Sequence, residues 1–283
     1  ESDAIKKLRK DLPKIATKKD NILITGEPGT GKTTLGRLIP GLSGARSAMV
    51  EINPYGITDY AFREALDGLK ETSLLFVPNL AELSFLHQSM LSAAITNRTG
   101  RRPPRVVVTV DGAVEELVGS RRLLKELAEI VERYLLIEAP PLSQRVRDIP
   151  LLIDAFMRNA CLGTNMNLKT IDINVLDFLT RRTWKGNVRE LKAVVEKAVM
   201  ESRGDEIELP SELVDESTQL EGILSNIGDK KRFSFDKSLS NLEKTLIERT
   251  LALVSFNQSN AADILNLSEA NLRYRMKKFK IKS

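Results

Sequence analysis

Short apolar, β-branched runs recur through the first half of the chain, at residues 21–25, 48–52, 73–77, 105–110 and 134–138. Each is five or six residues long, and longer stretches with helical spacing separate them. Continuous apolar runs alternating with helices predict parallel strands buried on both faces, an α/β layer arrangement with five strands. From 147 to about 203 the strand signal fades and helical periodicity takes over. Residues 205–236 are acidic at first, then polar with Gly222 and Gly228, and predict a linker.

Helical spacing resumes at 239. Within 241–254, Leu242, Leu246, Ile247, Leu251 and Val254 fall on one face. Residues 257–265 follow with small Ala261 and Ala262, which allow close helix packing. Asn266-Leu267-Ser268 interrupts the periodicity, and Ser268 is suited to N-cap a last helix. There Leu272, Met276 and Phe279 recur at i, i+4 and i+7, facing inward. The predicted layout is an α/β region at 1–146, a helical region at 147–203, a linker at 204–238 and an all-α module at 239–283.

Charge sharpens that division. Residues 1–223 hold 31 basic and 32 acidic side chains, whereas residues 224–283 hold 12 basic and 6 acidic. The net +5 of the chain therefore belongs to its C-terminal fifth. No apolar run approaches the ~18 residues that span a bilayer. One cysteine and one histidine exclude an intrachain disulfide and a Cys/His zinc cluster. Cys161 and His87 both fall in helical stretches and read as core residues. Glu1 opens the sequence without a signal-peptide pattern, so the expectation is a piece of a longer cytoplasmic protein with a sensory domain ahead of it.

Gly26-Glu27-Pro28-Gly29-Thr30-Gly31-Lys32-Thr33 matches the phosphate-loop pattern G-x-x-x-x-G-K-[ST], directly after the first apolar run and before a helix beginning near Thr34. Its glycines let successive N–H groups turn inward towards phosphate oxygens. Lys32 is placed for the terminal phosphates, and Thr33 offers a hydroxyl to Mg²⁺. ATP or ADP with Mg²⁺ is the expected ligand. Hydrolysis also needs an acid at the end of a neighbouring strand. The run at 73–77 leads instead into Pro78 and Asn79, neither of which is a carboxylate. Glu82 lies further on, and Asp111 closes the next run, where it could approach the γ-phosphate.

Residues 1–203 resemble the AAA+ central domain of bacterial sigma-54-dependent enhancer-binding activators, the nitrogen-regulation family. The resemblance is carried by residues 24–32, by Pro140-Pro141-Leu142 through Asp148-Ile149-Pro150-Leu151-Leu152, and by Trp184-Lys185-Gly186-Asn187-Val188-Arg189-Glu190-Leu191. It implies an AAA+ P-loop domain with a helical lid, in which Arg189 is the second nucleotide sensor. Where the family has an Asp–Glu pair, this chain has Pro78-Asn79, and the first-sensor asparagine aligns with Asp111. The family's Gly-Ala-Phe-Thr-Gly-Ala loop, which grips the sigma factor, has no counterpart in the short segment between Asn53 and Leu74. Candidates for the family's trans-acting arginines are Arg121, Arg122, Lys125 and Arg133. A second basic group, Arg98, Arg101, Arg102 and Arg105, reads as a solvated loop or a partner contact.

The last module reads as a helix-turn-helix with a cationic second helix, suited to a major groove. Asn257-Gln258-Ser259-Asn260-Ala261-Ala262 resembles the Fis-type DNA-binding domain that ends the same activators, which implies dimerisation through the first helices. The usual turn glycine is Asn266, which also tolerates positive φ. Ser268, Asn271, Arg273 and Tyr274 are candidates for base edges or flanking phosphates, and Arg275, Lys277 and Lys278 for phosphates.

Three functions fit these features. One is a DNA-binding transcriptional regulator that binds nucleotide without hydrolysing it or remodelling sigma-54, as a homo-oligomer (dimer or ring) with RNA polymerase as a possible partner. The second is a working ATPase activator that recruits Glu82 or Asp111. The third is an architectural DNA binder with a relic P-loop.

Overall fold

The computed structural model describes residues 1–43, 49–70, 73–96, 104–164, 166–202, 204–209, 235–254, 256–279 and 281. The chain divides into two compact units, Glu1–Glu208 and Leu209–Ser283.

In the first unit, α1 (Asp3–Thr17) leads to β1 (Ile22–Thr25), and α2 (Lys32–Leu42) follows. Then come β2 (Met49–Glu51), α3 (Asp59–Asp67), β3 (Leu74–Val77), a 3-10 turn at Leu80–Glu82 and α4 (Phe85–Thr96). β4 (Arg105–Thr109), α5 (Val114–Gly119), α6 (Lys125–Val131) and β5 (Leu135–Glu138) complete the α/β part. The five strands are parallel in the order β2-β3-β4-β1-β5. β3 and β4 carry almost wholly buried side chains, as the unbroken apolar runs require of strands covered on both faces. One face packs Leu23, Leu75, Val77, Val106 and Val108 against Phe62, Leu91 and Leu127 of the helices. The other packs Ile22, Ile24, Phe76 and Val107 against Ile39 and Ala16. The five strands fall within the five apolar runs, which exceed them by one residue at one end, or at each end for β2.

The lid holds α7 (Ile149–Gly163), β6 (Thr170–Ile171), α8 (Ile173–Arg181), α9 (Asn187–Glu201) and β7 (Glu206–Ile207). β6 and β7 pair in parallel, with Thr170 opposite Glu206. This small ladder departs from the strand-free lid and from a linker starting at 204. Two-residue strands leave no hydrophobic period to detect, and the Lys169 ammonium fixes them by donating to Ser202 O and Gly204 O. Cys161 is fully buried in α7, as expected of a core residue. Trp184 is buried and donates its indole N–H to Leu179 O.

The second unit contains α10 (Phe235–Leu253), α11 (Gln258–Ile264) and α12 (Glu269–Lys278). Ile247, Leu251, Ala261, Ala262, Leu272 and Met276 form its core, with Val254 and Phe279 packed against it. Leu246, expected on the inner face of α10, is exposed instead. Ile247 and Leu251, four residues apart, define the inward stripe, and Leu246 lies a hundred degrees round the helix from Ile247.

Candidate nucleotide site and nucleic-acid interface

The order of the sheet gathers the chemistry at the carboxyl ends of its central strands, where open α/β sheets bind ligands. β1 delivers residues 26–33, its neighbour β4 delivers Asp111, and β3, beyond β4, delivers Pro78 and Asn79. Gly31 caps α2 at φ 99° with no side-chain hydrogen bond, so the first-turn N–H groups are left for an anion. Thr30 is buried and its hydroxyl donates to Glu27 O at 2.9 Å, holding the loop curled. Thr33 is half-buried and Thr34 exposed in the first turn of α2, while Glu27 and Pro28 are exposed at the loop's crest.

Lys32 is 4% exposed; its ammonium donates to Gly26 O at 2.9 Å and Glu27 O at 2.6 Å and forms an ion pair with Asp111 Oδ1 at 2.5 Å. The Asp111 side chain therefore closes on the loop lysine within the chain.

The lid meets the loop through the start of α9. Asn187, buried at φ 53°, donates from Nδ2 to Glu27 Oε2 at 2.9 Å and to Pro28 O at 3.0 Å. Its Oδ1 accepts from Leu142 N at 2.7 Å. The Arg189 backbone N–H donates to Gly29 O at 3.2 Å, and the Arg189 side chain is exposed. Gly29 must be glycine here: its φ is 79°, and a Cβ would lie 2.1 Å from Gly186 O. Arg145 reaches in from the segment before α7 and donates to Thr30 O at 2.7 Å. Burial pulls its guanidinium pKa down, and nearby Asp148 opposes that shift. A cavity of about 1220 Å³ opens beside the loop, with Thr25, Gly26, Gly112, Ala139 and Gln144 among its walls.

The β3 end is built differently. Asn79 adopts φ 50°, its N–H donates to Thr109 Oγ1 at 2.9 Å, and its amide Nδ2 donates to Tyr55 Oη at 3.3 Å. Glu82 forms an ion pair with Arg122. Two residues considered for other tasks, a substitute acid and a trans-acting arginine, are thus engaged with each other. Lys125 approaches Glu129 at 4.0 Å along its own helix, and Arg121 takes φ 56° in the turn before it.

Arg105 is a correction to the basic-loop expectation. It is the first residue of β4, and its guanidinium donates to Ile15 O, Ala16 O and Asp20 O, clamping the end of α1. Its pKa is lowered by burial, with Asp20 opposing. Arg98, Arg101 and Arg102 lie outside the described residues. His87 is buried, stacked 4.3 Å from the Phe62 ring, and bonded to Asp59 at 2.9 Å.

In the second unit Ser268 caps α12, its hydroxyl accepting from Asn271 N at 3.3 Å, and Asn266 takes φ 52° in the turn. Leu272 and Met276 face the core, leaving Arg273, Tyr274 and Lys277 exposed, Tyr274 by 70%. Arg273 pairs with Glu269 one turn back at 2.5 Å. Arg275, expected on phosphate, instead bonds Asn271 Oδ1 and pairs with Glu243 of α10, with Lys278 3.9 Å from the same carboxylate. Arg275 is half-buried against α10, whereas Asn271, one turn earlier, stays exposed. Lys277 makes no ion pair among the described residues.

Asn187 and Arg145 are the site residues that sequence reasoning passed over. Asn187 stood inside the quoted lid block, and an asparagine following Gly186 at a helix start is a signal for positive φ. Arg145, in a polar turn, gives no comparable signal.

Among the described residues no group of three or more His, Cys, Asp or Glu could hold a metal, and no helix is long and apolar enough to cross a membrane.

Residues 1–142 match the family described as the Sigma-54 interaction domain, 143–222 the AAA+ ATPase lid domain, and 238–279 the bacterial regulatory protein, Fis family. The phenol regulator MopR of Acinetobacter guillouiae is 29% identical over 313 residues, covering 98% of this chain and 55% of its own length. The formate hydrogenlyase transcriptional activator of Salmonella typhimurium is 28% identical, covering 74% of this chain and 34% of its own. The chain thus spans from a third to about half the length of these curated relatives. Transcriptional activator RocR of Bacillus subtilis is 26% identical over 98% of this chain and 67% of its own. Among solved structures, NtrX from Brucella abortus in complex with ATP aligns with a TM-score of 0.66 at 20% identity, over 98% of this chain and 68% of that one. The fold is accordingly an AAA+ P-loop domain with a helical lid, followed by an all-α Fis-type helix-turn-helix.

Proposed function

We propose, for a chain that belongs to the Sigma-54 interaction domain family and carries a Fis-family helix-turn-helix, a DNA-binding transcriptional regulator that binds ATP or ADP without turning it over. The carrying observation is the contrast between two strand ends of one sheet. After β1 the phosphate loop is complete, with an uncapped α2 N-terminus and a buried lysine. After β3 the hydrolytic positions are Pro78 and Asn79, and the Asn79 amide is turned to Tyr55. An amide can orient water but cannot take its proton. The candidate substitutes are otherwise engaged, Glu82 with Arg122 and Asp111 with Lys32.

The residues present fit a nucleotide. Loop N–H groups from Gly26 to Thr33 would hold phosphate, Thr33 would offer its hydroxyl to Mg²⁺, and the adjoining cavity would admit the nucleoside. Bound phosphate supplies the negative charge that the loop and helix terminus are arranged to meet. Arg189, exposed at the α9 start beside Gly29, stands ready to reach it from the lid. NtrX has been solved with ATP and with ADP, which supports a nucleotide ligand in this fold.

Sigma-54 remodelling is not part of the reading. The Gly-Ala-Phe-Thr-Gly-Ala segment does not occur in the sequence, and the short stretch between β2 and β3 folds into α3 with Phe62 and Leu66 in the core. DNA is met by α12 through Arg273, Tyr274 and Lys277, with Ser268 and Asn271 at its start. A cytoplasmic homo-oligomer, dimeric through the C-terminal unit, with RNA polymerase as a further partner, completes the proposal. Equilibrium dialysis with ADP tests its first step. Wild type should bind, and Lys32→Ala should bind at least roughly tenfold more weakly; equal retention by both would remove the loop from the account.

A further inference from the structure

Lys32 donates from its ammonium to two oxygens of its own loop and forms an ion pair with a third oxygen of the chain. Two acceptors are neutral carbonyls of the loop itself. The third, Asp111 Oδ1 at 2.5 Å, carries a full negative charge and neutralises the lysine. The backbone keeps that carboxylate near. Val110 N donates to Ile24 O, Gly112 N donates to Gly26 O at 3.1 Å, and Gly26 and Gly112 form an antiparallel bridge. Residue 111 is therefore tied through its neighbours to the end of β1 on one side and to the loop on the other. With Lys32 4% exposed and Asp111 about a quarter exposed, the pair is partly withdrawn from water, where charge interactions are less screened.

We propose that Asp111 is a specificity-determining residue that makes the phosphate loop take a nucleoside diphosphate in preference to a triphosphate. This rests on the nucleotide-binding reading above and deepens it. In a phosphate loop the backbone N–H groups grip the inner phosphates, while the lysine is the point charge for the terminal ones. Here the inner grip is intact, but the lysine charge is already spent on Asp111. A γ-phosphate must then either displace the carboxylate from Lys32 or lie against it, and both routes oppose two negative charges at short range. A diphosphate is held by the loop N–H groups and the α2 terminus, and although its β-phosphate is within the lysine's reach it brings no γ-phosphate to that conflict.

The test is calorimetric titration of Mg²⁺-ADP and Mg²⁺-ATP into the full chain, as wild type, Asp111→Asn and Asp111→Ala, with circular dichroism checking the fold of each. Wild type should bind ADP at least roughly tenfold more tightly than ATP. Both variants should lose most of that preference, chiefly by gaining affinity for ATP; agreement between Asn and Ala assigns the effect to charge. ATP binding as tightly as ADP to wild type overturns the proposal and leaves nucleotide binding standing, a result that needs no variant. An unchanged ratio in both folded variants also overturns it, as does weakened ATP binding in both, which would make Asp111 a magnesium ligand. No binding of either nucleotide to any of the three proteins would overturn the nucleotide-binding reading itself, and this proposal with it.

Discussion

Asn187 shows how much one side chain can contribute when its surroundings are fully polar-matched. It is 1% exposed, sits at φ 53°, and spans lid, phosphate loop and the segment before α7 with three hydrogen bonds. Asn187→Ala leaves the Leu142 N–H and Pro28 carbonyl without their partner and places an ordinary residue in the left-handed region. The expected cost is about 2–4 kcal/mol in the stability of the first unit, measured by urea unfolding. Asn187→Asp is nearly isosteric, yet it loses both donors and sets a charge against Glu27, so it should be no milder. A loss below about 0.5 kcal/mol for both would show the lid and loop to be independent. None of these partners could be read from the sequence, because residues 27, 142 and 187 meet only through the fold. The phosphate loop itself was legible, since strand, glycines, lysine and helix are consecutive in the chain.

At the scale of elements, the apolar runs located all five strands because a strand covered on both faces must be apolar throughout. The same rule cannot see β6 and β7, which are two residues each and held by Lys169. The run at 105–110 places Arg105 at the head of β4, and only its charge reads as loop; its guanidinium satisfies the last carbonyls of α1 from that position. Arg105→Met should therefore destabilise the first unit by about 1–3 kcal/mol without altering DNA binding, and Arg105→Lys should recover only part of the loss. Equal stability of all three proteins by thermal unfolding would remove the clamp. The helix-turn-helix divides its cations in the same way. Arg275 and Lys278 gather on Glu243, which leaves Lys277 as the proposed phosphate contact. Lys277→Ala should weaken specific and random DNA alike and reduce the salt dependence by about one unit, whereas Arg273→Ala should relax sequence preference. Identical losses for both on both DNAs, read by fluorescence anisotropy across a salt series, would contradict that division.

For the whole molecule, the positive excess lies in residues 224–283, which end in the Fis-type helix-turn-helix, whereas residues 1–223, with the AAA+ body, are nearly neutral. The body carries a phosphate-loop sequence at the end of β1 and Pro78 and Asn79 in place of carboxylates at the end of β3, the contrast on which the proposed binding without turnover rests. Sequence made the loss at Pro78 and Asn79 visible. Only the structure brings Asp111 onto Lys32 and Glu82 onto Arg122, which engages the two substitute acids that sequence left open. The central claim is binding without turnover. Its most direct test is steady-state phosphate release from Mg²⁺-ATP by the full chain with saturating DNA, beside Lys32→Ala. Wild type should release phosphate no faster than Lys32→Ala. Release that rises with protein concentration and disappears in Lys32→Ala would contradict it and make the chain a working ATPase.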